Sequence, residues 1–341
     1  MKGRLIALDH LDGAEAAALM VDGRLEDLFL DSDAPRPGAI YRGIADRPVK
    51  GQGGMFLRTP DGAAFLRQIK GLSPGQPILV QVTGYPEPGK ALPVTAKVLF
   101  KSRHAIVTPD APGLNISRSI RDDDRRDALL AVAHEEMGDS EMGLILRSSC
   151  AEAADDEIAE DIRAMHDLAQ AVTGDAEGAD PEKLTDGDGP HALAWREWSA
   201  PAQVDTASGS FTDHGVLDQI DALRLADAPL GGGASISVEP TRALVAVDVN
   251  TGGDTSPAAG LKANLAAARD LPRQLRLRGL GGQVVMDPAP MPKKDRRQFE
   301  TTLRAAFRAD IVETALVGWT PLGHFELQRK RDRIPLSEVI R

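Results

Sequence analysis

Ala243-Leu-Val-Ala-Val-Asp-Val-Asn250, broken off at Thr251-Gly-Gly253, is the stretch from which the rest of the chain is read. Its β-branched apolar run predicts a strand. A helical pattern follows from about Leu261 to Leu280 and stops at Gly281-Gly282. A second predicted strand, Gln283-Val-Val-Met-Asp287, comes next. Side chains alternate faces along a strand, so Asp248 and Asn250 share a side. A strand–helix–strand unit usually makes its strands neighbours, which would bring Asp248, Asn250 and Asp287 to one rim. Two carboxylates and an amide are oxygen ligands of the kind a hard cation such as magnesium takes. Acids at strand ends also cap turns. Two features favour the metal. An unpaired carboxylate inside an apolar run is costly, and Asn250 repeats the polar choice on the same face.

A chain of 341 residues holds two or three domains and a substantial core. Aromatics make up 4% of it, so aliphatic residues and alanine must fill that core. The single cysteine, Cys150, excludes an intrachain disulfide and any cysteine-rich zinc module. No apolar run reaches membrane-span length, and the start has too short an apolar core for a secretory signal. A cytoplasmic protein is expected. The net charge of −11 hides an asymmetry. Residues 37–103 carry a net +7, residues 151–230 a net −15, and residues 262–341 again +7. Two basic blocks around an acidic middle suit phosphate attraction, although a solvated surface gives such blocks too.

In chain order, residues 4–30 predict two short strands around Asp12-Gly13, and Asp31 to Gly38 a boundary. From Ile40 to about Phe100 five short strands alternate with Gly and Pro turns: Ile40–Ile44, Gly54–Arg58, Ala63–Leu66, Ile78–Val82 and Val94–Val98. That pattern, in a basic segment, fits a small barrel of the oligonucleotide-binding (OB) type. Phe56 and Phe65 are candidates for base stacking or for the core. Lys90 is a candidate phosphate contact or a solvated turn lysine. Gly143-Leu-Ile-Leu-Arg147 predicts a strand ending at Ser148-Ser149, where an arginine beside hydroxyls can grip a phosphate. It can equally be a surface arginine beside a helix cap. Thr173 to Pro190, rich in Gly, Asp and Glu, reads as a mobile linker, and residues 211–229 as helical. Gly231-Gly-Gly233 reads as a turn into a strand. Arg269, Arg273 and Arg276 share a helix face that binds phosphates or keeps the helix soluble. Pro272 implies a kink in that helix.

Val247-Asp-Val-Asn-Thr-Gly-Gly253, Asn264-Leu-Ala-Ala267, Arg273-Gln-Leu-Arg-Leu-Arg-Gly-Leu-Gly-Gly282 and Val285-Met-Asp287 together resemble the catalytic core of the ribonuclease E/G family. Leu322-Gly323, Glu326 and Arg329-Lys-Arg331 resemble the run that follows it. Ile40-Tyr-Arg-Gly43, Gly143 to Arg147 and Phe211 to Ile220 match more loosely and in order. The resemblance implies an α/β chain of several subdomains. An RNase H-like subdomain (1–36, resumed after an acidic linker in 173–234) is interrupted by an OB-type RNA-binding barrel (37–103) and a 5′-sensor-like region (104–172). A DNase I-like catalytic subdomain (235–341) follows. It further implies a magnesium-dependent endoribonuclease, with manganese as a substitute ion, that cuts single-stranded RNA to 5′-phosphate and 3′-hydroxyl ends. Asp248 and Asp287 would hold the metal, and Asn250 the scissile phosphate or a water. Phe56, Phe65 and Lys90 would contact RNA, and Arg147 with Ser148 a 5′-phosphate.

Some features depart from that pattern. Ser148 stands where the family usually has threonine, and Pro288 and Pro290 follow Asp287 where Phe-Ile-Asp-like residues are expected. The chain stops soon after Arg331, before the family's paired-cysteine zinc link. No zinc is therefore expected, and a homo-oligomer, if formed, would not use that link. Counting from Asp310 and Gly323, Glu313 falls where a basic residue would support Arg147, so weak 5′-end sensing is expected. The rival reading is an RNA-binding accessory or regulatory protein with little turnover. A small-substrate metalloenzyme such as a phosphatase is disfavoured by the basic barrel.

Overall fold

Asp12-Gly13 and Asp22-Gly23 fold the N-terminal stretch into three strands in the computed structural model, which describes residues 3–49, 53–254 and 256–340 (for Pro257 the backbone alone). Both residues of each turn have positive φ, +51° and +87° in the first, +51° and +81° in the second. Asp-Gly accepts that conformation readily, and it matches the twist of a hairpin. The strands are β1 (Arg4–Leu11), β2 (Ala14–Val21) and β3 (Arg24–Leu30). The chain then divides into two compact units, one made of residues 1–32 and 202–341, the other of residues 33–201.

In the second unit, β4 (Ile40–Val49), β5 (Gly54–Thr59), β6 (Gly62–Leu66), β7 (Pro77–Val82) and β8 (Leu92–Thr95) pair in the order β4-β5-β6-β8-β7, and β7 returns to β4. The five strands form a closed, OB-like barrel around Tyr41, Leu57, Leu66, Val80 and Val94. Next come β9 (Phe100–Lys101), β10 (Ala105–Thr108), β11 (Leu114–Ile116), helix α1 (Asp123–Met137), β12 (Gly143–Leu146) and helix α2 (Asp155–Gly174). Their sheet runs β11-β12-β10-β9, with Leu129, Ala133, Ile158 and Ile162 of the helices in its core. The segment from Thr173 to Pro190, expected as a mobile linker, is instead tied down. Arg42 donates to the carbonyls of Asp175, Glu177 and Asp180 and pairs with Glu182. With its carbonyls gathered on one guanidinium, the segment adds β13 (Glu182–Thr185) to β4. Helix α3 (Pro190–Glu197) follows.

In the first unit, β14 (Gln203–Asp205) joins the N-terminal hairpins in the order β14-β1-β2-β3. Residues 211–229, expected as one helical stretch, divide into α4 (Ser210–Asp213), α5 (Val216–Ala222) and β15 (Asp227–Gly231). Left-handed Gly215 separates the two helices. A second sheet contains β15, β16 (Ala234–Pro240), β17 (Val245–Asn250), β18 (Gly282–Asp287), β19 (Thr314–Trp319) and β20 (Phe325–Arg329), ordered β15-β16-β17-β18-β20-β19. Gly231 to Gly233 form the β15–β16 turn. Helix α6 (Pro257–Leu277) links β17 to β18 and runs through Pro272 without a break, and α7 (Arg296–Ala309) packs beside it. The short α8 (Leu336–Val339) comes last. Among the described residues no helix is long and apolar enough to cross a membrane.

Two of the three α6 arginines serve the fold rather than a phosphate. Arg273 donates to the carbonyl of Leu25 and Arg276 to that of Glu26, both on β3, an edge strand whose outer groups need covering. Arg276 also pairs with Asp27 and with Asp310, while Arg269 stays exposed. The Asp310 side chain is fully buried between Arg276 and Arg329, whose Nη1 donates to it at 2.7 Å. Removing one member of a buried charge network strands the others, at a cost of about 3–5 kcal/mol. Asp310→Ala should lose that much stability in urea denaturation. A loss below about 1 kcal/mol, the level of an exposed pair, would show that the network does not hold the unit together.

Candidate functional site

Alternation along β17 sends Val245, Val247 and Val249 into the core beneath α6 and α7 and leaves Asp248 and Asn250 exposed on the opposite face. Asp287 ends β18 on the same exposed face. The two strands are parallel, and their register sets Asp248 directly opposite Asp287. The convergence expected from the strand–helix–strand pattern is therefore present. One reason given for it is not. Asp248 does not pay for burial in an apolar run, because the period of two turns it out to solvent while its valine neighbours turn in.

Asn250 Nδ2 donates to Asp248 Oδ2 at 2.7 Å, which fixes the amide with one N–H used and the other available. Register extends the row. Ser237 of β16 stands opposite Asp248, Ser235 opposite Asn250, and Asp227 of β15 opposite Ser237. On the far side, His324 Nε2 lies 3.8 Å from Asp287 Oδ1. His324 sits on the β19–β20 turn, where its carbonyl and N–H both bond to Thr320. Sequence reasoning missed it, because a turn histidine shows no periodicity that aims it at another strand. Left-handed Gly252, after Asn250, packs so close to the β15–β16 turn that a Cβ would lie 2.3 Å from the Gly233 carbonyl.

Among the described residues no three His, Cys, Asp or Glu side chains are grouped so as to hold a metal ion. The donor set is two carboxylates with neutral oxygens nearby. Such a set suits magnesium, which keeps several waters and commonly takes only one or two carboxylates. It does not suit zinc, which favours nitrogen and sulfur in a closed set of four.

In the other unit, Phe56 and Phe65 face each other across β5 and β6, with ring centroids 5.2 Å apart. Both are half-buried, and the Arg47 guanidinium lies 5.1 Å from the Phe56 ring. Gly54 makes room for this pair, since a Cβ there would lie 2.4 Å from the Phe65 ring. Lys90 is exposed and paired with Glu87 at 2.6 Å.

Arg147 follows β12, and Ser148 beside it is exposed. The Arg147 guanidinium is already engaged. Nη1 donates to the carbonyls of Ser102 and Arg196, and Nη2 to Glu197 at 2.7 Å. Glu197 also accepts from Arg196. The carboxylate that occupies Arg147 is thus Glu197, at the end of α3 in the same unit, whereas Glu313 belongs to the other unit. Next to it, Arg103 stacks on the exposed Trp195 ring at 4.1 Å and donates to the Trp195 carbonyl.

A model of the ribonuclease E/G family matches residues 100–201 and 199–332. The chain belongs to the ribonuclease E/G family. It is 27% identical to ribonuclease E of Nostoc sp. over 98% of its own length and 56% of that protein. With ribonuclease E of Synechocystis sp. the identity is again 27%, over 95% of this chain and 56% of the relative. Ribonuclease G of Salmonella typhimurium is 25% identical over 98% of this chain and 81% of the relative. The chain thus spans little more than half the length of the two ribonuclease E relatives.

The Glu197 latch of this ribonuclease E/G chain should depend on pH. Burial pushes the Glu197 pKa up, but Arg147 and Arg196 outweigh it and hold the carboxyl below its ordinary 4.5. A depressed pKa stabilises the fold above the unfolded value, and that stability is lost as pH falls through the folded value. Replacing an ionised acceptor by a neutral one costs about 1 kcal/mol. Glu197→Gln should therefore be less stable than wild type by about that amount at pH 7 and equal to it well below pH 4.5. Chemical denaturation at both pH values measures the difference. An equal gap at both would mean that the carboxylate charge contributes nothing.

Proposed function

We propose that this chain is a metal-dependent endoribonuclease that cuts single-stranded RNA by water attack, leaving 5′-phosphate and 3′-hydroxyl ends. The observation that carries the proposal is the register-paired Asp248 and Asp287 on the open face of the six-stranded sheet, in a chain of this family. On this reading the N-terminal sheet β14-β1-β2-β3 is RNase H-like and the six-stranded sheet is DNase I-like. Asp248 and Asp287 bind magnesium, or manganese in its place. The cation supplies positive charge where the phosphate gains negative charge. Asn250, oriented by its bond to Asp248, offers its second N–H to a phosphate oxygen of the RNA. Ser237, Ser235 and Asp227 extend the row of hydrogen-bonding side chains beside the pair.

RNA is held by the Phe56–Phe65 pair, whose half-exposed rings stack bases, with Arg47 and Arg58 supplying charge for the backbone. Lys90 adds a contact when it leaves Glu87. Arg147 and Ser148 take a terminal 5′-phosphate, and Glu197 competes with that phosphate for the Arg147 donors.

Asp248→Asn and Asp287→Asn should each abolish magnesium-dependent cleavage of an unstructured RNA while affinity for that RNA stays within several-fold. Turnover retained in either variant would remove the metal assignment. Binding without turnover in the wild type would favour an accessory RNA-binding protein. Phe56→Ala should weaken RNA binding by about 1–3 kcal/mol, the usual worth of one stacked base. Unchanged affinity would confine the ring to packing.

For the 5′ end, the wild type should show little preference for 5′-monophosphorylated over 5′-hydroxyl RNA. Glu197→Gln should raise the kcat/KM ratio of the two by about tenfold, since one charge-assisted bond becomes available. A large wild-type ratio that the substitution leaves alone would show that Glu197 does not compete.

A further inference from the structure

β18 ends at Asp287, and the chain continues Pro288-Ala-Pro290. Proline has no backbone N–H, so Ala289 carries the one amide donor of that tripeptide. The donor goes to Asn264 Oδ1 at 2.9 Å, and Asn264 Nδ2 donates back to the Ala289 carbonyl at 2.8 Å. Asn264 is completely buried and Ala289 nearly so. One turn earlier on α6, Gly260 lies so close to the same loop that a Cβ would stand 2.3 Å from the Pro290 carbonyl oxygen. Helix α6 therefore grips the loop after Asp287 at two points.

At the carboxyl end of Asp287, His324 Nε2 lies 3.8 Å away, beyond hydrogen-bond reach. The direction of Asp287 is thus set from its backbone, by the strand before it and the pinned loop after it. Asp248 lies on β17, the strand that leads into α6. The same helix follows one carboxylate and clamps the loop behind the other.

We propose that Asn264 is a positioning residue for the Asp248–Asp287 pair. Its two hydrogen bonds to Ala289 hold the Asp287 backbone so that both carboxylates face one divalent cation. The two prolines stiffen the loop, and the clamp at Ala289 gives it one orientation. The inference rests on the reading that this pair binds a cation. Groups that orient a ligand without touching the metal typically change its affinity by about ten- to a hundredfold.

The test is titration of the full chain with Mn2+ alone, with free Mn2+ read by electron paramagnetic resonance and folding checked by circular dichroism. Wild type should bind, and both Asp248→Asn and Asp287→Asn should not. Asn264→Ala and Gly260→Ala, while folded, should bind about ten- to a hundredfold more weakly. Leu275→Ala, buried near the other end of α6, should lower Tm and leave Mn2+ affinity unchanged. Folded Asn264→Ala with wild-type affinity overturns the proposal, and so does a matching loss of affinity in Leu275→Ala. Should Asn264→Ala not fold, Gly260→Ala decides, and wild-type affinity there overturns it. A wild type that binds no Mn2+, or binds it as well without either aspartate, overturns the metal reading itself.

Discussion

Parallel pairing of β17 with β18 is the constraint from which the site follows. Parallel neighbours cannot be joined by a tight turn and need a crossover, here α6. Their C-terminal ends therefore lie at one rim, where antiparallel pairing would have put Asp248 and Asp287 at opposite ends. Register then matters as much as direction. Val245, Val247, Val249, Val284 and Met286 are all buried on the helix-covered face. Sliding either strand by one residue would bury a carboxylate and expose that apolar set. The core thus enforces the arrangement of the polar face without touching it.

The strand–helix–strand pattern was legible because periods of 2 and 3.6 are properties of single segments. The same logic gave the five barrel strands, whose Gly and Pro turns mark their ends, and it placed Asp248 and Asn250 on one side. It could not say which side was buried. An apolar run with one aspartate reads as a wholly buried strand, and only the second layer, present on one face and not the other, decides. Arg273 and Arg276 illustrate a similar limit. Helical spacing told that they share a face, but not that β3 lies against it with its edge carbonyls unpaired.

Contacts made over long sequence separation were the least legible. Glu197 meets Arg147 across fifty residues because α3 returns to the end of β12. Position in sequence says nothing about which loop comes back, so counting along the chain could not find Glu197. Residues 173–190 misled for a related reason. Their composition is that of a disordered linker, yet one guanidinium, Arg42, satisfies three of their carbonyls at once. A multidentate side chain can order a segment that has little apolar surface of its own.

The Arg147 guanidinium sets the terms for any anion that approaches it. Both Nη1 bonds go to backbone carbonyls, which cannot leave without moving Ser102 and α3. The Nη2 bond goes to a side chain that can rotate away. A phosphate that binds must therefore displace Glu197 or share its donor, and in sharing it brings two negative groups together. Release of Glu197 is also opposed by Arg196, which donates to its other carboxylate oxygen. The carboxylate is thus held from two sides, and a phosphate gains only the difference between its own bond to Nη2 and the bond it replaces. That difference is small for like-charged acceptors, whereas a neutral acceptor in place of Glu197 holds Nη2 less tightly by about 1 kcal/mol and gives it up to the phosphate more readily. On the proposed reading of Arg147 as a 5′-phosphate contact, the residue at the end of α3 governs discrimination more than the arginine itself.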